Sequence, residues 1–427
     1  MKRIFVLFLF LSLFLSGCSL FGGSENSDEK INLFSSGLLA VELDDKWGYV
    51  DENGDVAIEL VYDNAGAFYG KSAIVELNNE MKLINNKGEN LLDKSYEKLF
   101  RDENTGNIFY FSNERWGLMD ETGEILTDAL YEEVNEFQDS RALVMSGDKY
   151  GFIDQKGKNV VSLKYDDGRT FSNGLASVKN NEKWGYIDED GEIVIDFFYD
   201  TAYSFDEYGN AIVKIDEVYS LIDKDNNKII SNVDKIKGEG PLYAVENDDV
   251  YTIYNQEGER INNLTFEYVW YTEDYIVNAE DDEENDMVYL FDEDGKVSRS
   301  GLYDDVSYGY IANSSKIEVV FIEYDEDYLN IYIDNSQYRI KGDDIGQVYT
   351  DKFVVEKDEK YGIVNQDDEI ILEFLYDYLV FTDDGFLIFV INEKFGIMDK
   401  NFDKIMIASY EALNPYYNIT SLANYYF

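Results

Sequence analysis

An all-β fold is predicted: about eleven antiparallel three-stranded repeats of ~35 residues, set in a propeller-like ring or an open curved β-solenoid. Three observations carry this. An aromatic or apolar anchor recurs at nearly constant spacing. An Asp or Asn stands four residues after every anchor. A Tyr followed by an acid stands fifteen residues after most of them.

The anchors are Trp47, Met81, Trp116, Tyr150, Trp184, Tyr219, Tyr251, Val288, Asn330, Tyr361 and Phe395. The first five steps are 34 or 35 residues, and later ones run from 31 to 42. Positions two and three after an anchor are both apolar, as in Tyr49-Val50, Phe152-Ile153 and Tyr186-Ile187. Neighbouring strand residues face opposite sides, so this strand is buried on both faces. A lone hairpin cannot bury both faces; a strand inside stacked sheets can. Gly beside the anchor (Gly48, Gly117, Gly151, Gly185, Gly362, Gly396) marks another backbone or an aromatic ring lying across it.

The turn after the anchor strand is written Asp-x-x-Gly: Asp51 and Gly54, Asp120 and Gly123, Asp154 and Gly157, Asp188 and Gly191. Asp suits the first position of a type I turn, and Gly accepts the positive φ at its exit. In a hairpin this closes as a type I turn with a glycine bulge. These acids are therefore read first as turn formers and only second as ligand or catalytic groups. A strand such as "EIVI" follows, ending in Tyr62, Tyr96, Tyr131, Tyr165, Tyr199, Tyr303, Tyr376 or Tyr410, each before Asp or Glu. Such a row either plugs the seam between units or stacks on sugar rings; regular spacing favours packing between neighbours. Phe68, Phe137, Phe171 and Phe205 mark a further apolar position. A small-residue strand such as "LASVKN" then leads through a polar turn to the next anchor.

The segments "KWGYVDENG", "RWGLMDETG", "KYGFIDQKG", "KWGYIDEDG", "KYGIVNQDD" and "KFGIMDKNF" resemble the WG-repeat (KWG-type) family of bacterial surface and secreted proteins. The resemblance runs from about Leu38 to the C-terminus, is marked in the first five units and fades between residues 232 and 352, where anchors degrade. It implies an all-β repeat fold and no catalytic residue, since the motif itself is structural.

The ends point elsewhere. Lys2 and Arg3, an apolar run from Ile4 to Leu15 and the small residues up to Gly17 form a signal peptide over 1–17, too short for a stop-transfer helix. "LSGC" resembles the lipobox of bacterial lipoproteins, which implies diacylglycerol on Cys18 and cleavage before it. Residues 18–37 then supply the lipidated Cys and a flexible tether, and 38–427 the repeat array. The Tyr-rich end, "NPYYNITSLANYYF", caps the array or completes its first unit.

Composition excludes whole classes of chemistry. Cys18 is the single cysteine and His is absent, which removes intrachain disulfides, thiolate or imidazole metal sites, and Ser-His or Cys-His catalysis. The net charge of −52 repels nucleic acid. Carboxylate chemistry and oxygen-ligated cations survive, and "DKDNNKIISNVD" (Asp223, Asp225, Asn227, Asp234) is a calcium-loop candidate. It has Lys228 where an EF-hand loop needs Gly, so a solvated hairpin turn is the competing reading. No cofactor is expected. The expected function is a non-enzymatic interaction scaffold, lipid-anchored at the extracytoplasmic face of the cell membrane (the outer membrane in a diderm host). Its partner is a protein, or alternatively a cell-wall glycan. A carboxylate-based hydrolase ranks third, because no singular site breaks the repeat.

Overall fold

The computed structural model describes residues 33–413 apart from 239, 274–275, 281–284, 293–295, 303–305, 311–318, 326–327, 334–335 and 383. Its regular elements are strands in eleven antiparallel sheets that follow one another along the chain. The last sheet packs against the first, so the array is a closed ring, a β-propeller of eleven blades. Blade 1 carries Trp47 and blade 11 carries Phe395.

Blade 5 shows the construction. Its strands are Asp167–Gly168, Leu175–Asn180, Lys183–Asp188 and Ile193–Tyr199, paired in that order. The middle two meet through Asn181 and Glu182, at φ of 49° and 68°. Positive φ at both central residues is the two-residue turn whose twist matches that of antiparallel strands. The last two meet at Asp188, whose backbone oxygen accepts from Gly191 N at 2.9 Å, with Gly191 at φ +81°.

The third strand is buried on both faces, and the two faces serve different neighbours. Trp184 and Tyr186 pack with Ala202, Phe205 and Val213 of blade 6. Ile187 packs back on Leu143, Phe152 and Tyr165 of blade 4. Between the anchors' own side chains lies the glycine. A Cβ on Gly185 would stand 2.6 Å from the Ile195 carbonyl oxygen, because the fourth strand folds across the third at that point. Gly48 and Gly151 meet backbone in the same way, while the rings of Tyr110 and Phe389 lie over Gly117 and Gly396.

Two sequence readings need correction. Nine of the sheets have four strands, not three. The added first strand is as short as two residues, such as Asp167–Gly168, and is separated from the end of the preceding blade by one residue. So short an element shows no periodicity. In blade 9 the anchor falls on Leu329, not Asn330: Leu329 and Ile331 pack on Phe353 and Val355 of blade 10. The Tyr-rich segment 414–427 lies outside the described residues.

The first sheet is completed by Ala412–Leu413, the end of the described chain. Val41 pairs with Leu413, Glu42 with Ala412, and Glu411 N donates to the Glu42 carbonyl at 2.8 Å. Leu413 is 1% exposed within a cluster that joins Leu39 and Val41 to Ile388, Val390 and Phe395. Leu413→Ala is expected to cost about 2–5 kcal/mol and Trp184→Ala about 3–5 kcal/mol, read as lowered urea midpoints. A near-neutral Leu413→Ala would mean the seam holds without that strand.

Candidate functional site

The residues singled out in the sequence are placed mostly in the framework. Cys18 lies outside the described residues. Trp47, Trp184 and Phe395 are buried; Trp116, Tyr150 and Tyr361 are half-buried. Asp51 Oδ1 accepts from the backbone N–H groups of Asn53 and Asp55 at 2.9 and 3.0 Å. Asp120, Asp154 and Asp188 hold their turns in the same way. Gly54, Gly123, Gly157 and Gly191 have φ between +74° and +90°. Where the repeat lacks this glycine, Asn226, Asp368 and Phe402 take the positive φ instead.

The tyrosine row is inside. Tyr62, Tyr96, Tyr131, Tyr165, Tyr199, Tyr376 and Tyr410 are all buried, and Tyr303 lies outside the described residues. Each sits across the strand pair from its anchor, as Tyr199 does from Trp184 and Tyr165 from Tyr150. This row therefore offers no open ring face to a sugar. The calcium-loop candidate is likewise taken apart by the fold. Asp223 caps a hairpin turn and accepts from Asn227 N at 2.7 Å. Asp234 follows the far end of the strand Lys228–Val233, roughly 20 Å along at the usual rise per residue.

The acid after six of the tyrosines has a role that sequence reading missed. Asp63 stands at the crossover from blade 1 to blade 2. One of its oxygens takes Lys46 Nζ of blade 1 at 2.5 Å, and the other takes Asn78 N in the blade 2 hairpin at 2.6 Å. Asp166 does the same with Lys149 and Asn181 N, and Asp200 with Lys183 and Asp216 N. Asp377 with Lys360 and Asn392 N repeats the arrangement, and Glu132 accepts from both Arg115 and Gly147 N on its Oε1. Glu411 closes the ring with it, holding Lys394 at 2.6 Å and, across the seam, Asp44 N at 3.0 Å. The signal was present in the sequence: if the anchor pairs with the Tyr fifteen residues on, the residues flanking that pair, seventeen apart, must also be neighbours.

This clamp exists in blades 1, 3, 4, 5, 10 and 11, the same six with Gly beside the anchor. In the other five the cation's place is held by Glu80, Val218, Val250, Met287 and Tyr328. At blade 6 the loss leaves space. Ser220 replaces the glycine, and a cleft of about 240 Å³ opens between blades 5 and 6. Tyr199, Val213, Ile215, Asp216, Val218 and Lys228 are among its walls.

Hydrogen bonds from Lys46, then from the Asn78 N–H, hold the Asp63 carboxyl below its ordinary range. The same order of causes, cation first, applies to Glu132, Asp166 and Asp200. Lys360 and Lys394 lower Asp377 and Glu411 against some opposing burial. A depressed folded-state value contributes stability above the unfolded pKa of about 4, and that contribution is lost as pH falls through the depressed value. Glu411→Gln is therefore expected to lower the melting temperature at pH 7, with the gap to the natural chain closing below about pH 4. A gap that stays constant from pH 7 to pH 3 in circular-dichroism melts would refute the clamp.

A family model described as "WG containing repeat" matches residues 47–80, 116–150, 150–184, 184–219 and 361–395. Each match opens on an anchor followed by glycine: Trp47, Trp116, Tyr150, Trp184 and Tyr361. No curated protein matches the sequence. Among solved structures, a eukaryotic initiation factor is 11% identical over 88% of this chain and 96% of its own, with a TM-score of 0.42. The Hsv2 protein of Kluyveromyces lactis is 11% identical over 62% and 94%, with a TM-score of 0.28. PorZ, a bacterial surface component of the type-IX secretion system of Porphyromonas gingivalis, is 10% identical over 81% and 58%, with a TM-score of 0.24. At these identities and TM-scores no function passes from them to this chain.

Proposed function

We propose that this chain, which carries WG-type repeats at five positions, serves as a lipid-anchored, non-enzymatic interaction scaffold on the extracytoplasmic side of the cell membrane, with a protein as its partner. One observation carries the reading. The polar residues that recur in the repeat are used internally, as turn caps and inter-blade clamps, and what is left to solvent is a set of acidic turns that differ from blade to blade. A frame held constant with a varied, strongly charged surface suits recognition of a macromolecule better than catalysis at one point.

The anchoring rests on the sequence of the first eighteen residues. A diacylglycerol on Cys18 gives the two chains that stable membrane attachment requires. Burial of the tyrosine row takes away the support for a glycan-stacking surface built from it.

Cys18→Ser is expected to release the chain from the membrane fraction or to leave its leader uncleaved; a full-length chain still in the membrane would instead indicate an apolar anchor. Formaldehyde crosslinking on intact cells is expected to trap a protein on the natural chain. Pelleting of the Cys18→Ser chain with purified cell-wall sacculi that resists salt would replace the protein partner with a glycan, since contacts made by the −52 charge weaken with screening.

A further inference from the structure

In six blades the crossover acid holds a Lys or Arg from its own chain. In blades 6 and 7 the same acid is present and the cation is not. Val218 takes the lysine's place beside Asp234, and Val250 takes it beside Glu267. The geometry of the strand pair is kept: Tyr219 pairs with Val233 and Tyr251 with Phe266, so residues 218 and 234, and 250 and 267, flank those pairs as Lys183 and Asp200 flank Trp184 and Tyr199. Asp234 even keeps the other half of the clamp, accepting from Asp248 N at 2.9 Å. Its second oxygen has no partner among the described residues, and neither has the Glu267 carboxylate.

We propose that blades 6 and 7 form a docking surface for a basic, partly apolar segment of a partner protein, whose Lys or Arg side chains complete the two clamps in trans. This rests on the scaffold reading and names the chemistry of its partner. The molecule itself shows what the slot accepts, since the equivalent carboxylates of blades 1, 4 and 5 each hold a lysine ammonium at 2.5 Å. The residues that replaced lysine are apolar and open, Val218 at 39% and Val250 at 40% exposure, so the slots are not refilled from within. By contrast, Tyr328, which holds the cation's place in blade 9, is half-buried, with Arg339 over its ring at 4.3 Å.

The two slots lie in consecutive blades on one face of the ring, where the two-residue hairpins Asp216-Glu217 and Asp248-Asp249 add four more carboxylates. Lys214 answers Glu217, and Lys228, Lys235 and Lys237, the last over the rings of Tyr251 and Tyr268, are the nearby cations; the balance against Asp216, Glu217, Asp234, Asp248, Asp249 and Glu267 stays negative. The cleft between blades 5 and 6 opens beside Val218 and is lined by Val213, Ile215 and the Tyr199 ring, which suits an apolar side chain next to the basic one. A chain of net charge −52 draws a basic segment in, and the local pairs set where it stops.

The test uses the full chain with Cys18→Ser and a fluorescent ten-residue peptide of alternating lysine and leucine, followed by anisotropy. Val218→Lys with Val250→Lys writes into blades 6 and 7 the residue that the clamped blades already carry, and is expected to weaken binding about tenfold or more. Asp234→Asn with Glu267→Gln is expected to do the same. Val56→Lys with Val61→Lys adds the same charge on the outer strand of blade 1, at sites 49% exposed, and is expected to leave binding unchanged. Equal weakening by both lysine pairs would show mere polyelectrolyte attraction and overturn the proposal, as would no effect of either or no binding by the natural surface. Any of these outcomes beside a protein still trapped by crosslinking on cells would leave the scaffold standing without this docking surface.

Discussion

Six of the ring's crossovers are pinned by a carboxylate that stands between the two blades it joins. Asp63, Glu132, Asp166, Asp200, Asp377 and Glu411 stand at crossovers, and each ties a cation behind it to a backbone N–H ahead of it. An exposed ion pair alone contributes little. Here the carboxylate also satisfies a hairpin N–H, and its position is imposed by the strand pairing on both sides. The clamp therefore works as a register pin. Most of the cohesion comes from the apolar seam beneath it: Trp184 and Tyr186 against Phe205, Tyr49 against Phe68 with ring centroids 4.8 Å apart, Phe152 against Phe171 at 4.7 Å. Each blade is stable only as far as its neighbours cover it. Ring closure matters for the same reason, since an open array would leave Val41 and Val50 on one end and Val390 and Ile397 on the other facing water.

Strong negative charge is compatible with this frame because much of it is structural. Turn aspartates are consumed by backbone N–H groups, and crossover acids by lysines. Other acids guard the outer strands, which stand at the edge of the four-stranded sheets and offer unpaired backbone to any passing strand. Those strands are apolar on the outside: Val56 and Val61, Ile125 and Leu130, Ile193 and Phe198, Ile370 and Leu375 are exposed. In each of these four a single acid interrupts the run, namely Glu59, Asp128, Asp196 and Glu373. One charge in the middle of an exposed strand is enough to penalise edge-to-edge pairing between like-charged copies.

Much of the fold is legible in the sequence because its periodic signals are local. Asp-x-x-Gly announces a turn wherever it stands, and paired apolar residues such as Tyr186-Ile187 announce a strand covered on both sides. What stays hidden is whatever depends on partners far apart in the chain. Closure rests on Ala412–Leu413, a pair of residues with no distinguishing pattern, meeting a strand that lies some 370 positions earlier. The clamp is hidden differently. Its two halves are both visible, as the Lys of "KWG" and the acid after Tyr, but they meet only once the pairing of Trp184 with Tyr199 is known. The site is less legible than the fold for a related reason: the blades that matter there are the ones that depart from the pattern, and Val218 or Val250 is informative only against the lysines of the others.

Glycine and lysine vanish together, and the strand pairing changes where they do. In blade 5, Trp184 pairs with Tyr199 and Tyr186 with Ile195, so the fourth strand carries a bulge directly over Gly185. In blade 6, Tyr219 pairs with Val233, Ser220 with Ser231 and Leu221 with Ile230, so the residue in the glycine's place is itself paired and the irregularity shrinks to Asn232. Glycine beside the anchor and a cation at the clamp therefore mark the same blades. Blades 6 and 7 thus keep the acid while losing what it held. Their seams rely instead on the apolar clusters around Leu221, Tyr243 and Val245, and around Tyr251, Phe266 and Val277. Among the described residues Asp234 there still holds the Asp248 N–H but no cation, and Glu267 holds neither, which leaves negative charge that a partner can use.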